Sequence, residues 1–165
     1  ALALEIAHRY NSEYEFLPEE ERFDAIIWVS AKTTSLTAEG IKTRYQVTNT
    51  ISDIYKEISV VLGNNEINLN NINDQNLLIK RALIQQRTLL IIDNFETIDD
   101  ERVNSFIREL PNPTKSIVTT RHRIDIADPI RLSAMPREDA INLIKQECKK
   151  KDVQLKVEQA ELLYK

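Results

Sequence analysis

The sequence predicts an α/β fold built on a parallel sheet, and three observations carry that expectation. Leu89-Leu90-Ile91-Ile92 is a short, wholly apolar run bounded by polar residues, the pattern of a strand buried on both faces. Ala25-Ile26-Ile27-Trp28-Val29 and Ser116-Ile117-Val118-Thr119-Thr120 are two further strand candidates. Between them lie segments with apolar residues at helical spacing, and strands alternating with helices argue a parallel sheet, here followed by a helical portion.

Taken in chain order, Leu2, Ile6 and Tyr10 fall at i, i+4 and i+8 with Ala3 and Ala7 alongside, one apolar face of a helix over Ala1 to about Tyr14. Glu13 to Arg22 is an acidic loop interrupted by Pro18. Phe23 to Ala31 holds the strand around Trp28, and Lys32 to Val47 is polar with no assignable period. Thr50 to Leu62 carries Ile51, Ile54, Tyr55, Ile58, Val61 and Leu62 at good helical spacing, stopped by Gly63. Asn64 to Asn76 is asparagine-rich and predicts a surface loop, because asparagine favours turns and tolerates left-handed backbone. Asp74 is expected to cap the next helix, which leads to the strand before Asp93. An acidic turn, a helix through Val103, Phe106, Ile107 and Leu110, and the stops Pro111 and Pro113 come next. Ile130-Arg131-Leu132 suggests one more short strand, and Pro136 suits the first position of a helix with Glu138 and Asp139 in its first turn.

Composition narrows the function classes. The chain has 165 residues, 42% hydrophobic and 29% charged, within the range of globular domains. A formal net charge of -4 gives no general basic field for nucleic acid. No apolar run approaches the roughly 20 residues a bilayer requires, so no membrane partner is expected. The single cysteine, Cys148, cannot form an internal disulfide and suits a reducing cytoplasm, while one cysteine and the distant His8 and His122 make no persuasive zinc site. Only two glycines occur, Gly40 and Gly63, so no glycine-rich phosphate loop is present. Ala1 to Ala7 reads as helix interior without a capping residue before it, and Val157 to Lys165 as a helix without a stop. Both ends predict an internal portion of a longer protein.

Chemistry is expected at strand ends. Asp93 comes directly after the most apolar strand, and the carboxyl edge of a parallel sheet is where α/β folds bind ligands. A buried carboxylate needs a cation or hydrogen bonds to compensate it, and in a phosphate-binding fold Mg²⁺ supplies that role. A core strand running into a solvated acidic turn has the same composition. Arg121, after Thr119 and Thr120, has a planar fork that matches phosphate oxygens; it is equally suited to pairing with an acid such as Asp125. His122 is a polar neighbour of Arg121, and Lys149-Lys150-Lys151 suits a solvated helix end.

The order of segments resembles the NB-ARC-type nucleotide-binding domain of STAND-class P-loop ATPases. Ala1-Leu2-Ala3 and its helix resemble the segment directly after the Gly-Lys-Thr of the P-loop. Phe23-Asp24-Ala25-Ile26-Ile27-Trp28-Val29-Ser30 is similar to the second strand, Leu89 to Asn94 to Walker B, and Ser116 to Arg121 to the strand-Thr-Thr-Arg sensor region. Leu132 to Pro136, followed by Glu138-Asp139-Ala140, resembles the proline motif that opens the helical subdomain.

The resemblance implies a partial P-loop NTPase of three α/β/α layers over residues 1–128, without its first strand and P-loop, and the beginning of a helical ARC-like subdomain over 129–165. It implies ATP/ADP and Mg²⁺ as cofactors. Asp93 would hold the metal, Arg121 would sense the γ-phosphate and Pro136 would lie against the adenine. Where the family often has a second acid the chain has Asn94, which orients water but accepts no proton, with Glu96 as a nearby acidic substitute. The implied role is an ATP/ADP switch of conformation and self-association in a longer protein, with slow hydrolysis there and none in this portion alone. An AAA+-type ATPase with continuous turnover and a non-catalytic, receiver-like interaction module are the competing accounts.

Overall fold

A computed structural model describes residues 2–32, 34–37, 40–43, 50–64, 71–155, 159 and 162, with backbone alone for 34–37 and 40–43. The sheet-bearing unit runs from Ala1 to Asp128 and a second unit from Pro129 to Lys165. Among the described residues there are five strands and five α-helices: α1 Leu2–Ser12, β1 Ala25–Ser30, β2 Thr34–Thr37, β3 Gly40–Thr43, α2 Ile51–Val61, α3 Ile72–Gln85, β4 Thr88–Asp93, α4 Glu101–Arg108, β5 Lys115–Val118 and α5 Arg137–Lys150. No described helix is long and apolar enough to cross a membrane.

The main sheet is three-stranded and parallel, in the order β1-β4-β5. β4 is central and almost wholly buried, which is why its sequence is apolar without alternation. Its two faces nonetheless serve different cores. Leu90 and Ile92 join Ile27 and Val29 of β1 beneath α2, α3 and α4, which contribute Ile54, Ile58, Ile79, Leu83, Val103 and Phe106. Leu89 and Ile91 face the other way, against Ala3 of α1, with Ile26, Trp28 and Ile117 partly buried beside them. Three helices therefore cover one face and α1 contributes to the other, an α/β arrangement with a helix layer on each side of the sheet.

Local chemistry sets the helix limits. Thr50 and Asp53 form a reciprocal capping box at the start of α2. Gly63, at φ 69°, lets the chain leave α2 with Asn64 N–H donating to Ser59 O at 2.9 Å and Gly63 N–H to Val60 O at 3.3 Å, the double bond of a Schellman stop. α5 ends the same way at Asp152, φ 53°, with Val153 N–H donating to Cys148 O at 2.8 Å.

Several expectations need correction. α3 starts at Ile72, because Asn71, not Asp74, is its cap: the Asn71 carboxamide oxygen accepts from the N–H groups of Asn73 and Asp74, both at 3.1 Å. Residues 72–76 are therefore helix rather than loop, and 65–70 lie outside the described residues. The unassigned stretch after Lys32 contains the antiparallel pair β2–β3. Ile130-Arg131-Leu132 is no strand; Ile130 and Leu132 are 87% and 71% exposed, with no sheet partner. Pro136 precedes the first turn of α5 instead of opening it, at φ -53° and ψ 143°. Of the helix expected over Val157 to Lys165, only residues 159 and 162 are described, and both are helical.

Candidate functional site

Register brings the expected residues together at one end of the sheet. Asp93 is the last residue of β4 and aligns with Ser30 of β1, while Ile92 aligns with Val118, the last residue of β5. Thr119 thus emerges beside Asp93. Its N–H donates to Ile92 O at 2.9 Å, continuing the ladder by one bond after the strand has ended. Its hydroxyl donates to Asp93 Oδ1 at 2.6 Å and accepts from Asn94 N–H at 3.0 Å, and its carbonyl accepts from Phe95 N–H at 2.9 Å. One threonine therefore fixes four consecutive residues, 92–95. The short O–H···O distance is that of a charge-assisted bond to a carboxylate.

Asn94 turns the chain out of β4 in the left-handed conformation, φ 63° and ψ 46°, which asparagine tolerates better than most residues. A single 3₁₀ turn, Phe95–Thr97, comes next. Phe95 is buried in the larger core. The Thr97 hydroxyl lies 2.7 Å from Ala31 O and 2.8 Å from Asn94 O, a proton shared between two carbonyls that ties the turn to the end of β1.

That anchoring positions Glu96. Its side chain is only 12% exposed, and Oε1 lies 3.4 Å from Nε of Arg121, which is 83% exposed. Oε2 is buried and has no hydrogen-bond partner among the described residues. Asp93 and Arg121 therefore stand at the carboxyl ends of adjacent strands, linked through Thr119 on one side and Glu96 on the other. His122 is exposed, its N–H donating to Thr120 Oγ1 at 3.2 Å. Pro136 belongs to the second unit, where its carbonyl accepts from Ala140 N–H at 2.9 Å.

The donor set is one of hard oxygens, the Asp93 carboxylate and the Thr119 hydroxyl bonded to it. It suits a cation that takes few protein ligands and keeps its water, as Mg²⁺ does with a nucleotide. It does not suit a cation caged wholly by protein, since no cluster of three or more acidic, histidine or cysteine side chains occurs among the described residues. Arg121 adds an exposed guanidinium, a group whose planar fork matches anionic oxygens. No stretch of this sequence supplies a glycine-rich loop of the kind that cradles phosphates.

Motif-based reasoning includes Thr119 in the Thr-Thr-Arg segment without giving it a role, and passes over Thr97. A hydroxyl residue directly after a buried strand, one position beyond the register partner of Ile92 and so level with the strand-terminal Asp93, is the signal for Thr119. For Thr97 no signal exists short of knowing where β1 ends. No family model matches this chain, and neither the curated proteins nor the solved structures contain a match to it.

Proposed function

We propose that this chain is part of the nucleotide-binding module of a STAND/NB-ARC-type signalling ATPase, in which ATP and ADP select between two conformations of a longer protein. One observation carries the proposal: an acid and an arginine, Asp93 and Arg121, lie at the carboxyl ends of neighbouring parallel strands and are joined through Thr119 and Glu96. In an open α/β sheet that edge is where ligands bind. The five ordered sequence segments add to it.

In this scheme Asp93 would hold Mg²⁺, which would supply neutralisation of the phosphate charge. Asp93, kept in one orientation by the Thr119 hydroxyl, orients the hydrated cation, and Arg121 contacts the γ-phosphate. ADP lacks the group Arg121 would contact, so the two nucleotides differ in affinity for any conformation that brings Arg121 inward, and a differential affinity is what shifts a population. Asn94, directly after Asp93, cannot take a proton from water, so turnover is slow and the module acts as a switch. The scheme draws its phosphate loop from outside residues 1–165, which hold only Gly40 and Gly63, and self-association accompanies the ATP-bound form.

Titration of the intact protein with MgATP and MgADP tests the scheme. Asp93→Ala is expected to lower Mg²⁺-dependent affinity by about 10- to 100-fold, the range for a lost charged hydrogen-bond partner. Arg121→Ala is expected to weaken ATP but not ADP. Unchanged Mg²⁺-dependent affinity in Asp93→Ala would remove the metal role.

A further inference from the structure

We infer that Glu96 is a positioning residue that restrains Arg121, so that a γ-phosphate must compete with an internal carboxylate for the same guanidinium. The inference rests on the proposed nucleotide site and adds to it the device that sets the threshold for ATP.

The two partners differ in freedom. Glu96 sits on a turn fixed on both sides: Phe95 is buried in the core, Phe95 N–H bonds to Thr119 O, and Thr97 reaches Ala31 O. Arg121 lies beyond the end of β5, outside any helix or strand, with most of its side chain in solvent. Of the pair, only Arg121 can move without disturbing the core. Nε faces Glu96 at 3.4 Å, and a guanidinium has further N–H donors beyond Nε.

The carboxylate also has more need of the arginine than the reverse. Glu96 is largely withdrawn from water, its Oε2 is buried and unpartnered, and Arg121 is its ion-pair partner among the described residues. Arg121, solvated, loses little by leaving. Drawing it away strips a poorly hydrated carboxylate of compensation, and an uncompensated buried charge is unfavourable. That penalty subtracts from the affinity for ATP. It does not touch ADP, which presents no γ-phosphate to Arg121.

The experiment is a double-mutant cycle on the intact protein, with MgATP and MgADP affinities measured for the wild type, Glu96→Gln, Arg121→Ala and the double variant. Glu96→Gln is expected to tighten ATP by about 2- to 5-fold, the scale of one ion pair with a solvated partner, and to leave ADP unchanged. In the Arg121→Ala background the same substitution should do nothing. Glu96→Asp retains the charge but withdraws it by one methylene, and should also tighten ATP. Equal tightening in both backgrounds, or none in Glu96→Asp, would mean that a removed negative charge acts through the general field, and would overturn the restraint. Glu96→Gln binding ATP like the wild type while Arg121→Ala is weakened would also overturn it, leaving the nucleotide site intact. An Arg121→Ala variant that binds ATP normally, or a wild type that binds neither nucleotide, would overturn both.

Discussion

Thr119 satisfies with one hydroxyl both a carboxylate and a backbone N–H that would otherwise stand unpaired. Asp93 Oδ1 receives its proton at 2.6 Å and its lone pair takes the Asn94 N–H at 3.0 Å. The second bond matters because Asn94, at φ 63°, has left the strand ladder and has no sheet partner for its N–H. Valine has nearly the shape of threonine and neither hydrogen-bonding function. Thr119→Val is therefore expected to cost about 1–3 kcal/mol, the penalty for leaving half-buried polar groups unsatisfied, while Thr119→Ser keeps the hydroxyl and costs less. Urea unfolding of the three proteins checks this; equal midpoints for Val and wild type would show that water replaces the hydroxyl without loss.

At the scale of elements, Asp100 joins two helix starts. It caps α4, with Oδ1 accepting from Arg102 N–H at 3.1 Å, and its Oδ2 accepts from Ile51 N–H, in the first turn of α2, at 2.9 Å. The Arg102 guanidinium, bonded to both oxygens at 2.9 Å, and these two backbone N–H groups hold the Asp100 pKa at about 2, against an opposing effect of burial. A folded pKa below the unfolded value of 3.8 means the stabilisation is complete above about pH 4 and lost as pH falls through 2. Asp100→Asn should cost about 1 kcal/mol at neutral pH, after allowing for the solvent around Arg102, and the gap to wild type should close near pH 2 in acid unfolding curves. A gap that persists undiminished in acid would assign the cost to lost shape rather than lost charge. Such a link between α2 and α4 is invisible in sequence, since residues 51 and 100 meet only once both helices lie on the same face of the sheet. Burial is the source of the legible part. β1 and β4 announce themselves by unbroken apolar runs and β5 by the Ile117-Val118 pair, and the ends of β4 and β5 locate Asp93 and, three residues on, Arg121. The start of α3 is misread from sequence because helix caps and loops share the same asparagines and aspartates, and the choice of Asn71 over Asp74 as cap depends on backbone angles. Glu96 is recognisable as an acid near the strand end, but its pairing with Arg121 depends on the β4–β5 register and on how Asn94 turns the chain.

For the whole molecule, the two units carry very unequal shares of apolar burial among the described residues. Every fully buried residue of both cores lies between Ala3 and Ile107, with partly buried contributions reaching Ile126, all inside the unit that ends at Asp128. In the second unit α5 buries only Ile141 among its own residues. A 14-residue helix is near the length at which isolated helices are marginal in water, and residues 129–165 fall below the roughly 40 residues under which chains seldom hold a core without metals or disulfides. Cutting the chain after Asp128 should therefore leave a protein that unfolds cooperatively. Trp28 reports on this directly, because it is partly buried on the α1 face of β1: its emission should shift in a single transition with the same urea midpoint as the longer chain. The separate peptide 129–165 should show little helix by circular dichroism. A broad, non-cooperative Trp28 transition in the shorter chain would mean that the three-stranded sheet, with α1 as the helix on one face, depends on the residues after Asp128 for its stability, and that its two cores are not sufficient to hold Asp93 and Arg121 in register.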